Sequence, residues 1–135
     1  MPPSLVSMIL RLARLAWASP WTCLGLAVGA AGLATAGSVR RGPGILEFHG
    51  GAARWLLACL PGRPFAMTLG HVVIGQNAAA LDLAQQHELV HVRQYERWGP
   101  LFVPAYLACS LALWLAGKDA YRDNPFERQA YGDHR

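Results

Sequence analysis

The sequence predicts an α+β protein: an N-terminal transmembrane helix followed by a minimal domain, mainly helical with a small β-sheet or hairpin. Three observations predict it. Residues 16–39 form an uncharged, largely apolar run, and about 20 such residues cross a bilayer core as a helix. Residues 45–51 and 65–75 alternate and carry β-branched and aromatic side chains, as short strands do. Residues 77–99 and 101–117 read as two consecutive helices, broken at Gly99-Pro100. The expected division is an amphipathic and membrane-anchor segment at 1–41, then a compact domain at 42–135.

A chain of 135 residues supports one domain of modest core. Charged residues make up 15%, against about 25% in soluble domains, so part of the surface is expected to face lipid. The net charge is +4. Its basic residues are scattered, with no Lys/Arg run, which favours membrane lipid as a partner and not nucleic acid. Cys23, Cys59 and Cys109 have no CxxC spacing and read as small buried hydrophobes.

From the N-terminus, residues 1–14 read as a short amphipathic helix carrying Arg11 and Arg14. The span at 16–39 follows, with Trp17 and Trp21 as interface anchors and Arg40 and Arg41 closing it. A signal peptide with Ala34-Thr35-Ala36 as cleavage site is the rival. Then come a turn at 42–44, a strand at 45–51, and a helix at 52–60 stopped by Pro61-Gly62. The strand at 65–75 has Gly70 as a bulge or tight turn, and Asn77 caps the next helix. Pro104 interrupts the apolar helix at 101–117, residues 118–125 are a polar turn, and a last helix starts at Pro125. Arg93 and Glu96 are expected to pair on a solvated face.

His87-Glu88-Leu89-Val90-His91 is the chemical signal. Residues four apart on a helix differ by about 40° in azimuth, so both imidazoles can reach one ion. Glu88 is rotated off that line and suits a general base acting on water. The bland alternative is two histidines on a helix with no metal. Zinc needs a third protein ligand. Asp82 is too far along the same helix, and His71 falls in a strand. Downstream, Asp119, Asp123, Glu127, Asp133 and His134 remain. Glu127 stands out because it lies on a predicted helix with the small Ala130 three residues on.

"HELVH" at 87–91 and "ERQA" at 127–130 together resemble the gluzincin pattern of zinc metallopeptidases. They are similar to the CAAX-prenyl endopeptidase family and bacterial heat-shock membrane proteases, which carry HExxH and then E-x-x-A-D. The resemblance implies a minimal zincin-like domain, Zn2+ held by His87, His91 and Glu127, and Glu88 as catalytic base. Tyr131 replaces the aspartate that supports a ligand histidine in those families. The segments around "HVRQYERWGPLFVPAYL" and "YRDNPFERQAY" also resemble small bacterial membrane proteins carrying HExxH, which implies location in a membrane, the bacterial inner membrane.

The leading expectation is a membrane-associated, zinc-dependent metallopeptidase acting on a peptide or protein substrate. The alternative is a non-catalytic membrane protein with a structural or regulatory zinc site, closed by Asp123, Asp133 or His134. A scaffold without metal is the third. Tyr95, Tyr106, Tyr121 and Tyr131 are candidates to stabilise an oxyanion, and the 65–75 strand to hold an extended peptide. If Glu127 is a ligand, 101–116 cannot cross the bilayer, since the ligands would be split between its two sides. One span at 16–39 is then expected, with all residues after Arg40 on one side, weakly favoured as cytoplasmic by Arg40, Arg41 and Arg54.

Overall fold

A computed structural model of the chain describes residue 2 and residues 4–132. The fold is α+β, as expected. Its elements are α1 (Leu5–Ala34), β1 (Ser38–Gly42), β2 (Ile45–His49), α2 (Gly51–Cys59), β3 (Ala66–Leu69), β4 (Val72–Gly75) and α3 (Ala78–Trp98). A 3-10 turn, Gly99–Leu101, leads into α4 (Phe102–Leu115), and α5 (Pro125–Ala130) closes the described chain. The four strands form one mixed sheet in the order β1-β2-β4-β3, with β2 and β4 parallel and the other pairs antiparallel.

The N-terminal third corrects the expected pattern most. One 30-residue helix, capped by the Ser4 hydroxyl accepting from the Ser7 N–H, replaces the separate amphipathic helix and span. Its buried positions, Ala18, Gly25, Gly29 and Gly32, make a stripe of small residues. A Cβ at Gly25 would lie 2.7 Å from the Val72 Cβ, and one at Gly29 would lie 2.6 Å from the Phe48 ring. Those glycines therefore let α1 lie against the sheet, where any side chain would hold it off. Helix α1 and the sheet thus share a core.

The helix ends at Ala34, because Gly37 turns its N–H back to the Gly32 carbonyl at 2.7 Å. Residues 38–42 are then strand, not the end of a span. Trp17 and Trp21 are not free interface anchors. Their indole N–H groups donate to the Arg97 and Pro100 carbonyls at 3.3 and 3.2 Å, where the end of α3 leaves acceptors unpaired.

The helical stretch long and apolar enough to cross a membrane is instead Ala78–Leu115, with mean hydropathy 1.5 in its apolar window. It is not N-terminal. It runs through α3, the 3-10 turn and α4, which follow one another directly, with Gly99 capping α3 at φ +57° as the sequence predicts. Only 11% of that window is buried, and Leu107, Leu111, Trp114 and Leu115 point outward from α4.

The sheet is packed on both faces. On one side Phe48, Leu69, Val72 and Ile74 meet Ala53 and Leu57 of α2, with Trp21 and Val28 of α1 against them. On the other, Ile45, Ala66 and Val73 meet Leu81 and Val92 of α3. Full burial of a residue such as Leu57 or Ile74 stabilises the fold by about 1.5–3 kcal/mol. The expected strand at 65–75 is a hairpin, β3 and β4, with Gly70 at φ +64° in the tight turn. Cys23 and Cys59 are exposed and Cys109 is half-buried, contrary to expectation, because α1 packs through its glycine stripe and turns Cys23 outward.

After α4 the chain doubles back along it. The Ser110 hydroxyl donates to the Ala120 carbonyl at 2.8 Å. Asn124, fully buried, donates to the Tyr106 carbonyl and the Ser110 hydroxyl while its own oxygen caps α5. This return brings α5 against α3.

Candidate metal centre

Helix α3 carries His87, Glu88 and His91 within one turn, and α5 carries Glu127 to them. Glu127 Oε1 lies 3.1 Å from His87 Nε2 and 2.6 Å from His91 Nε2, and the two imidazole nitrogens are 3.2 Å apart. Ligand atoms 2.0–2.1 Å from a tetrahedral zinc sit about 3.3 Å apart. Two of the three separations are close to that edge and the third is shorter, so the residues fit a small ion without rearrangement of the backbone. Among the described residues they form a group able to hold a metal.

Electrostatics favour the anionic form of Glu127. Burial raises the pKa of its carboxyl, but the hydrogen bonds and charge of His87 and His91 outweigh that and bring it down to about 2. Tyr106 donates to its other oxygen, Oε2, at 3.1 Å.

Glu88 is buried beside this group and does not join it. The Thr68 hydroxyl on β3 donates to Glu88 Oε2 at 2.5 Å. Tyr95 in turn donates to the Thr68 carbonyl at 2.9 Å, so its hydroxyl is already engaged. The Tyr131 ring lies 4.3 Å from the His87 ring, and the hydroxyls of Tyr131 and Tyr121 are 2.8 Å apart.

The other candidates lie elsewhere. Asp82 pairs with Arg40 at 2.8 Å. His71 pairs with Glu96 at 2.8 Å, so Glu96 turns to the sheet and not to Arg93. Asp119 Oδ1 caps the 116–124 loop by accepting from the Tyr121 and Arg122 N–H groups, and Asp123 Oδ2 accepts from the Asp119 N–H. Asp133 and His134 lie outside the described residues.

A cavity of about 550 Å3 opens onto His87, Glu88, His91 and Glu127. Leu60, Pro64 and Met67 wall it on one side, Val103 and Leu107 on the other. No family model, curated protein or solved structure matches this chain. The geometry of the site must therefore speak for itself.

Two residues absent from the sequence reading contribute to it. Thr68 holds Glu88, and nothing in the local sequence marks it. Gln94 reaches His91 Nδ1 with its Oε1 at 2.8 Å, and its position three residues after His91, on the same helix face, was a usable signal.

Proposed function

We propose that the chain is a membrane-associated, zinc-dependent metallopeptidase that hydrolyses peptide bonds in a peptide or protein substrate. One observation carries this: His87, His91 and Glu127 converge on a single point, and the buried carboxylate of Glu88 shares their cavity. The gluzincin resemblance of "HELVH" and "ERQA" agrees with it. These three residues would hold zinc, which when bound would supply a Lewis-acid charge to acidify water and polarise a carbonyl.

The chain's own groups do the rest. Thr68 holds Glu88 Oε2, which leaves Oε1 to take the proton of an attacking water and pass it to the leaving amine. β3 is an edge strand beside the cavity. Gln76 N–H donates to the Phe65 carbonyl at 2.9 Å, which sets Met67–Ile74 and Leu69–Val72 as the hydrogen-bonded pairs of the hairpin. Ala66 and Thr68 therefore turn their peptide groups to the free edge. The Thr68 carbonyl is held by Tyr95, so the Thr68 N–H and both groups of Ala66 remain to pair with an extended substrate.

For a closed structural site, Asp123 is turned to the 116–124 loop, where its Oδ2 accepts from the Asp119 N–H, and Asp133 and His134 lie outside the described residues. For the membrane, the outer face of α4 and the exposed leucines of α1 before Trp17 offer apolar surface to lipid. At 14 residues, α4 is about 21 Å long, shorter than the roughly 30 Å hydrocarbon core. It dips into one leaflet in this account, and the return at 116–124 keeps Glu127 on the side of the histidines. Purified protein in detergent is expected to cleave an unstructured apolar peptide, with Glu88→Gln keeping zinc and losing cleavage. Equal cleavage by Glu88→Gln refutes the proposal.

A further inference from the structure

We propose that Gln94 is a positioning residue that holds His91 by its Nδ1–H and so turns its Nε2 to the metal; this rests on the zinc proposal above. The logic is donor and acceptor accounting. Gln94 Nε2 lies 3.0 Å from the Phe126 carbonyl and 2.8 Å from Gln129 Oε1. A backbone carbonyl only accepts, so the amino end of the Gln94 amide must face α5. Its carbonyl end then faces His91 Nδ1 at 2.8 Å. An acceptor opposite Nδ1 requires Nδ1 to carry the proton. Nε2 is then the nitrogen that faces Glu127 and His87 and is left for the metal.

That nitrogen lies 2.6 Å from Glu127 Oε1 and shares a proton with it in the metal-free chain. A metal would take the place of that proton while the Nδ1–H stays on Gln94. Gln94 also grips the residue preceding Glu127, through the Phe126 carbonyl. One buried amide thus orients one ligand and anchors the helix that bears another. Among the described residues His87 has no such support: its Nδ1 is buried without a partner, and Tyr131 offers it only a ring face. His91 is the pre-oriented histidine of the pair, and Gln94 is the reason.

The test uses the full chain in detergent micelles, labelled with 15N and loaded with zinc. Imidazole 15N–1H correlation is expected to show His91 protonated at Nδ1 and not at Nε2 in the wild type and in Gln94→Glu, which keeps an acceptor. Gln94→Leu is expected to bind zinc about 10–100-fold more weakly in chelator competition. Gln129→Ala, which removes an α5 contact but spares the contact with His91, is expected to bind zinc much more tightly than Gln94→Leu.

An Nε2–H tautomer in the wild type overturns the proposal. So does wild-type zinc affinity in Gln94→Leu, or an equal loss in Gln129→Ala, which would make Gln94 merely a tie to α5. If Gln94→Leu fails to fold, the wild-type and Gln94→Glu tautomers still decide. If the wild type takes up no zinc, the zinc proposal fails, while loss of a protected His91 Nδ1–H signal in Gln94→Leu, or its persistence there, still judges Gln94.

Discussion

Replacing Thr68 with Val removes one hydroxyl and keeps the shape of the side chain, so its consequence can be worked out closely. The hydroxyl donates to Glu88 Oε2 at 2.5 Å, and Glu88 is only 6% exposed. Water has little access to take over. A hydrogen bond to a charged group contributes about 1.5–3 kcal/mol. If that interaction orients Glu88 as base, its loss raises the barrier by a similar amount, about 10–150-fold in kcat/KM at 1.36 kcal/mol per tenfold. Thr68 touches none of His87, His91 and Glu127 in the hydrogen-bond network, so zinc content should not change. The assay is peptide cleavage and bound zinc measured on the same preparation, with Thr68→Ser as the variant that restores the donor. Undiminished cleavage by Thr68→Val would refute the role given to Glu88. Loss of zinc would show that β3 supports the ligands themselves.

Two further outcomes are expected. Glu127→Ala should weaken zinc binding far more than Asp123→Ala, since Asp123 is occupied with the Asp119 N–H; a chelator titration ranking them the other way would move the third ligand to the loop. Single cysteines at positions 79 and 132, in a background lacking Cys23, Cys59 and Cys109, should be labelled from the same side of intact membranes. Labelling from opposite sides would make 101–116 a full span and remove Glu127 from the site.

What the sequence made legible was local. His87, Glu88 and His91 are related by helix period alone, and the caps of α3, Asn77 and Gly99, are read directly from residue type. Gly70 marked its turn because a positive φ favours glycine. What stayed hidden depends on partners distant in sequence. Hydropathy treats lipid and a β-sheet as the same apolar surroundings, so α1 read as a detached span, although its glycines are spaced to admit Val72 and Phe48. β1 was concealed in the tail of that same apolar run. Thr68 is 20 residues from the carboxylate it holds, and only the packing of β3 on α3 joins them. His71 and Glu96 met for the same reason, and that pairing displaced the expected contact between Arg93 and Glu96.

The central claim is that His87, His91 and Glu127 form a zinc site, and metal analysis of the purified chain tests it most directly. The account predicts one zinc per wild-type chain and almost none in His91→Ala, because one imidazole and one carboxylate hold the ion far more weakly than three ligands. Equal zinc in the two proteins, or none in the wild type after purification with zinc present, would contradict it.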